Sequence, residues 1–265
     1  MPIPDRLNPT FATARPIAPP HPDPVEEARR RLIVALDVPS AEAALELVNR
    51  LERCCQWFKV GMELFTAAGP AAIEPIVARG HSVFLDLKFH DIPNTVAGAV
   101  RSAAGLGVRM MNVHALGGPA MLVAARTALD ELSDPPQLLA VTVLTSMDTG
   151  QLRAAGLDRM AAEEAELLAR SSLDAGIRGF VCSPQEVTAL RALAGPEAAL
   201  VVPGIRPAGA ALGDQRRIAT PGEAMRAGAS YLVVGRPITQ ASDPAEAAEA
   251  IVREMAGAIE VETQA

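Results

Sequence analysis

From Leu32 onward, short β-branched apolar runs alternate with Ala- and Glu-rich stretches whose apolar positions recur every three or four residues. Alternation with period two marks strands, and a period near 3.6 marks helices. The pattern predicts eight strands, at Leu32–Val38, Trp57–Glu63, Ser82–Phe89, Val108–His114, Leu138–Thr145, Gly179–Ser183, Ala199–Ile205 and Tyr231–Ile238. Each precedes a helical segment, among them Ala41–Arg53, Pro70–Arg79, Thr95–Leu106 and Ala161–Ala175. The runs Leu32-Ile33-Val34-Ala35-Leu36 and Tyr231-Leu232-Val233-Val234 are continuously apolar, as in strands covered on both faces of a parallel sheet. Eight β-then-α units predict an α/β protein built as a single (β/α)8, or TIM, barrel. A doubly wound open sheet is the alternative, but no Gly-x-Gly-x-x-Gly follows the first strand.

Ahead of the first strand the pattern stops. Residues 1–31 hold eight prolines and almost no periodic apolar positions, and they lack the uninterrupted apolar core of a secretory signal. Residues 1–30 are therefore expected to form a flexible extension and residues 31–265 the barrel domain. The chain is 49% hydrophobic and 21% charged, which suits a globular protein with a sizeable core. A net charge of −7 argues against a nucleic-acid or anionic-membrane partner, while leaving room for a local positive site for one phosphate. No apolar stretch approaches the roughly 18–20 residues of a membrane span. Cys54, Cys55 and Cys182 have neither disulfide nor zinc spacing, so reduced thiols in the cytoplasm are expected.

A barrel collects its chemistry at the carboxyl ends of its strands, and the charged residues fall there. Asp37 ends the first strand, Lys59 lies in the second, Asp86 and Lys88 end the third, and His114 ends the fourth. Alternation puts Asp86 and Lys88 on one face, where an unpaired charge would cost several kcal/mol or neutralise itself. Taken singly, each has a structural explanation: Asp37 as a helix cap, Lys59 as a snorkelling side chain, His114 as a satisfied core histidine. Asp37, Lys59, Asp86 and Lys88 together come from three neighbouring strands and alternate in sign. That coincidence points to a functional array.

The far end of the chain carries a second constellation. Pro203-Gly204-Ile205-Arg206-Pro207 ends the seventh strand, a long loop with Gly209, Gly213 and Gln215 follows, and Val234-Gly235-Arg236-Pro237-Ile238 closes the eighth. Loops after strands seven and eight of such barrels bind phosphate. Gly235 permits close backbone approach, and Arg206 and Arg236 can chelate a dianion. A Gly-Arg-Pro turn with rim arginines is the structural reading of the same residues.

These motifs resemble the bacterial type of orotidine 5′-phosphate decarboxylase. The resemblance runs from about Leu32 to Glu254 and rests on Ala35-Leu36-Asp37, Phe58-Lys59-Val60-Gly61, the ten residues Asp86–Thr95, Val141–Ser146, Pro203–Pro207, Gly213–Arg217 and Val234–Ile238. It implies decarboxylation of orotidine 5′-monophosphate to uridine 5′-monophosphate and CO₂, the last step of de novo UMP biosynthesis, with no cofactor and no metal. Lys88 would be the proton donor, held protonated by Asp86 and Asp91, with Lys59 and Asp37 continuing the array and meeting the ribose hydroxyls. By the same resemblance Thr145 would contact the pyrimidine, and Arg206, Gly235 and Arg236 the phosphate, with Gln215 bridging phosphate and base and Pro203 among the substrate-binding residues. Asp91, Ile92 and Thr95 would belong to substrate binding, Asp91 and Thr95 reaching a partner's site across a homodimer interface. His90 receives no catalytic role. The competing readings are a magnesium-dependent aldolase or decarboxylase acting on a sugar phosphate, and a catalytically silent phosphate-binding protein.

Overall fold

The computed structural model describes residues 23–207 and 217–264. Its eight strands are β1 (Leu32–Ala35), β2 (Trp57–Gly61), β3 (Ser82–Phe89), β4 (Met110–His114), β5 (Gln137–Val141), β6 (Gly179–Val181), β7 (Ala199–Val202) and β8 (Tyr231–Val234). All pair in parallel with their sequence neighbours, and β1 pairs with β8, so the sheet closes into the expected barrel. The helices on the outside are α1 (Pro24–Arg31), α2 (Ala41–Leu51), α3 (Met62–Ala68), α4 (Glu74–Ala78), α5 (Pro93–Ala104) and α6 (Gly118–Thr127). They continue as α7 (Thr149–Ala154), α8 (Ala161–Asp174), α9 (Val187–Ala194), α10 (Pro221–Arg226), α11 (Arg236–Thr239) and α12 (Pro244–Gln264).

Strand alternation divides the apolar residues between two cores. Ile33, Ala35, Phe84, Met110, Leu139, Val141, Val181, Ala199, Val201 and Val233 fill the barrel interior. Leu32, Val34, Phe58, Val60, Val83, Leu85, Met111 and Val113 point outward into the layer beneath the helices. Successive residues of one strand thus serve different cores, which is why the strands read as unbroken apolar runs. The interior filling stops short of the carboxyl end. Two residues beyond Phe84 and Met110 on the same inner faces stand Asp86 and Asn112, and Lys59 stands two beyond Trp57.

Expected and observed strands agree in number and order and differ at their ends. Only Ser82–Phe89 has both expected boundaries. β2 stops at Gly61 and Met62–Ala68 is helical; β8 stops at Val234 and Arg236–Thr239 is helical. Burial continues past the last strand residue, as at Leu36, Val143 and Ile205, so an apolar pattern overruns the strand. The helix expected at Pro70–Arg79 is a 3-10 turn, Gly69–Ala72, followed by α4. Pro70 and Pro75 remove two backbone donors from that stretch.

Helix α1 falls within the stretch expected to be an extension. Asp23 caps it by accepting from Val25 N at 2.9 Å, and Pro24 occupies the first turn, where a missing N–H costs nothing. Arg29 then pairs with Glu249 of α12 at 3.0 Å, fastening α1 to the last helix. The proline-rich residues before Asp23 lie outside the described residues.

Candidate active site

At the carboxyl ends of the strands lies a cavity of about 400 Å³, large enough for one small ligand. Its lining includes Asp37, Lys59, Asp86, Lys88, Thr145, Pro203, Arg206, Gly235 and Arg236. A wider hollow of about 650 Å³ lies at the opposite mouth, beside Trp57, Arg191 and Tyr231. Arg191 is spent there on the carbonyls of Gly195, Pro196, Ala198 and Gly228, which makes it a structural staple.

The four charges form one continuous chain. Lys59 Nζ lies 2.8 Å from Asp37 Oδ1 and 3.4 Å from Asp86 Oδ2, and Lys88 Nζ lies 2.6 Å from Asp86 Oδ1. Strand register explains the meeting: Ala35 pairs with Lys59, Lys59 with Phe84 and Gly61 with Asp86, so the charged positions climb the inner wall together. Gly61 keeps the space open. A β-carbon there would come within 2.7 Å of Lys59 Nζ and 3.1 Å of Asp37 Oδ1.

Electrostatics holds Asp86 and Lys59 ionised. Burial pushes the Asp86 carboxyl up, but the Lys59 and Lys88 ammonium groups outweigh it, so its pKa ends below the ordinary carboxylate value. Burial lowers Lys59 in turn, and Asp86 and Asp37 more than offset that, leaving it above its ordinary value. His114 is different: burial, then His90 and Lys88, push it down to about 4, so it is neutral near pH 7. Its Nδ1 accepts from Leu116 N at 3.3 Å, and its ring stacks on His90 with centroids 5.5 Å apart. These contacts leave the imidazole a structural role, in line with its uncharged state.

Simple alternation does not account for the way Lys88 meets Asp86. Lys88 has φ +52°, the only positive φ of a non-glycine among the described residues, and the β3–β4 ladder loses register between Leu85 and Phe89. Such a conformation costs about 1–2 kcal/mol and persists only where the surroundings impose it. Asn112 is the neighbour that the sequence reading missed. Fully buried on β4, it donates from Nδ2 to Asp86 Oδ1 at 2.7 Å and accepts from Lys88 N at 2.8 Å. Its signal in the sequence was an amide inside the apolar run Met110-Met111-Asn112-Val113, which a buried strand tolerates only with partners.

Arg217, part of the Gly213–Arg217 motif, is a second residue to which the sequence assigned no role of its own. It donates to Val143 O at 3.1 Å and Leu144 O at 2.9 Å, the two carbonyls just before cavity-lining Thr145, and also to Ser183 Oγ at 3.0 Å and to Glu186. Burial raises the Glu186 carboxyl more than Arg217 and Ser183 lower it. Arg217→Met strands Glu186 and two carbonyls in the interior, and is expected to cost about 3 kcal/mol in urea unfolding. Adding Glu186→Gln should recover part of that loss. An unchanged unfolding midpoint for the single variant would show the pair to be energetically idle.

Of the residues singled out from the sequence, the cavity gathers Asp37, Lys59, Asp86, Lys88, Thr145, Pro203, Arg206, Gly235 and Arg236. Asp91, Ile92 and Thr95 are exposed and are not part of its lining; Asp91 Oδ1 accepts from Ile92 N at 2.6 Å. Gln215 lies outside the described residues. No group of three or more His, Cys, Asp or Glu side chains among the described residues is placed to hold a metal ion. No described helix is long and apolar enough to cross a membrane.

A closed parallel barrel with paired carboxylates and ammonium groups at its mouth, next to two arginines, belongs to the (β/α)8 enzymes that act on small anionic ligands. The family model of the orotidine 5′-phosphate decarboxylase / HUMPS family matches residues 30–251, and the chain belongs to that family. It is 54% identical to the orotidine 5′-phosphate decarboxylase of Moorella thermoacetica over 234 residues, 86% of this chain and 93% of that protein. It is 53% identical to the enzyme of the same name from Saccharophagus degradans over 228 residues, 86% and 96% of the two chains. Among solved structures, the crystal structure of orotidine 5′-phosphate decarboxylase from Lactobacillus acidophilus superposes with a TM-score of 0.74 at 40% identity, covering 85% of this chain and 99% of that one.

Proposed function

We propose that the protein converts orotidine 5′-monophosphate to uridine 5′-monophosphate and CO₂, the last step of de novo UMP biosynthesis, with the cavity at the barrel mouth as its active site. The observation that carries this reading is the chain Asp37–Lys59–Asp86–Lys88, closed by contacts of 2.8, 3.4 and 2.6 Å. Ring order supports it. Arg206 and Arg236 follow β7 and β8, Asp37 follows β1, Lys59 belongs to β2, Asp86 and Lys88 to β3, and Thr145 follows β5. A nucleotide with its phosphate at the arginines then has its ribose at Asp37 and Lys59 and its pyrimidine between Lys88 and Thr145.

In the reaction the bond from pyrimidine C6 to the carboxylate breaks, its electron pair stays on C6, and CO₂ leaves. Lys88 Nζ gives its proton to C6 and is reprotonated from solvent. Because the charge on C6 has no ring position onto which to spread, stabilisation has to come from charges already in place, and the array needs no reorganisation to supply them. Asp86 Oδ1 and Oδ2 face different lysines, so the carboxylate orients both ammonium groups. Each carboxylate of the array is matched to an ammonium group. This arrangement favours an anionic transition state over a bound cation, so the sugar-phosphate reading gains no observation of its own.

The active unit is a homodimer in which Asp91, Ile92 and Thr95 complete the neighbouring site. Their exposure supports this: Ile92 is 67% exposed, and Leu116 and Val123 are further exposed apolar residues on the elements that follow. A cytoplasmic location accords with three buried, unpaired cysteines. Spectrophotometric assay of orotidylate consumption tests the activity, with turnover expected and unchanged by EDTA. Loss of turnover in EDTA, restored by magnesium, would favour the metal-dependent alternative.

A further inference from the structure

We propose that Asn112 is a positioning residue of this reaction: its side-chain amide ties the Asp86 carboxylate to the backbone of Lys88, so that the Lys88 ammonium is held at pyrimidine C6. The inference rests on the decarboxylase reading and extends it to a residue that touches neither substrate nor the reacting atoms.

Three observations converge on Asn112. It is fully buried on the inner face of β4, between Met110 below and His114 above. Both ends of its amide are used, and both go to the neighbouring strand: Nδ2 donates to Asp86 Oδ1 at 2.7 Å, and Oδ1 accepts from Lys88 N at 2.8 Å. Those partners are the two residues that carry the proposed chemistry. A regular ladder residue would donate to a main-chain carbonyl. Lys88 instead donates to a side chain, at the point where the β3–β4 register is broken.

The backbone of Lys88 supplies the physical reason. At φ +52° a lysine is unfavourable, and an extended conformation is open to it unless something holds it. The hydrogen bond from its own N–H to Asn112 is such a hold. The carboxylate of Asp86 is fixed by the same amide. Its Oδ1 accepts from both Lys88 Nζ and Asn112 Nδ2, while Oδ2 remains turned to Lys59 at 3.4 Å. Without Asn112 the carboxylate can rotate between the two lysines, and the chain at Lys88 can relax. Either movement displaces the ammonium from the atom it must reach.

Two variants separate the parts. Asn112→Leu keeps the bulk and removes both hydrogen bonds; Asn112→Asp keeps the shape and the acceptor for Lys88 N–H and replaces the donor to Asp86. Displacement of a reacting group by about 1 Å costs on the order of 100-fold. For Asn112→Leu we expect kcat to fall by about that factor, with KM and the calorimetric Kd for UMP within about threefold of wild type. For Asn112→Asp we expect a fall in kcat of at least about tenfold under the same binding criterion. Ligand binding and chemistry separate in this way only if the amide positions the reacting groups. A kcat within about threefold of wild type in variants that bind UMP overturns the proposal. So does a loss of UMP binding that parallels the loss of kcat, because the role is then purely structural. Should Asn112→Leu not fold, Asn112→Asp decides by the same measurements, and failure of both to bind UMP also overturns the proposal. A wild-type protein without orotidylate turnover refutes the decarboxylase reading itself, an outcome distinct from unaffected Asn112 variants beside an active wild type.

Discussion

Lys88→Ala is expected to lower kcat by at least about 10⁴-fold while UMP binding and the unfolding midpoint stay close to wild type. Two contributions disappear together. The variant has no proton to give C6, and it loses the positive charge that faces the developing electron pair. The fold has little stake in the side chain. Lys88 is partly exposed at the barrel mouth, and its ammonium contacts Asp86 without being packed in the apolar core. The variant also leaves the Asp86 carboxylate with Lys59 and Asn112 as partners, so the buried charge is not abandoned. Pre-steady-state or single-turnover measurement of CO₂ release reads the chemical step directly. A kcat within tenfold of wild type would remove Lys88 from the role of proton donor, tenfold being far below the about 10²–10⁴ that a positioned acid supplies.

The second large effect is a recovery. Lys88→Ala and Asp91→Ala subunits, each nearly inactive alone, are expected to regain about a quarter of wild-type specific activity after unfolding and refolding as an equimolar mixture. Random pairing makes half of the dimers hybrids. In each hybrid one site carries both defects and the other carries neither. The prediction follows from the position of Asp91, which is exposed beyond the end of β3, outside the cavity lining of its own protomer, next to exposed Ile92. Verified hybrid dimers that remain inactive would confine the site to one protomer.

These two experiments address the same hexapeptide, Asp86–Asp91, whose parts differ in how far the sequence revealed them. The pairing of Asp86 with Lys88 was legible because opposite charges two apart in an apolar strand call for each other. Its geometry was not. Alternation predicts a regular strand, and the chain instead turns through φ +52° at Lys88 with the ladder out of register. The arginines after β7 and β8 were legible as well, because each follows an apolar run and sits beside glycine and proline. Asn112 was not, since it belongs to no local pattern, and Arg217 stood in the Gly213–Arg217 motif with nothing local to show its partners. Arg217 acts on carbonyls 73 and 74 positions earlier in the chain, and Asn112 on residues 24 and 26 positions earlier. Gly61 was visible as part of a motif, but the need for a glycine appears only once Lys59 and Asp37 close on the space where its β-carbon would stand.

By itself the sequence determined the class of fold, the order of its eight units and the end of the barrel at which chemistry gathers. These follow from periodicity, because burial on one face or two imposes a repeat that a linear chain displays openly. Tertiary structure alone decided where each strand stops, which inner-facing positions are filled with apolar side chains and which with charge, and which buried amide holds the reacting pair. Those properties depend on register between strands and on contacts across long stretches of chain. Closure of the barrel sets both, and no repeat within a single segment records them.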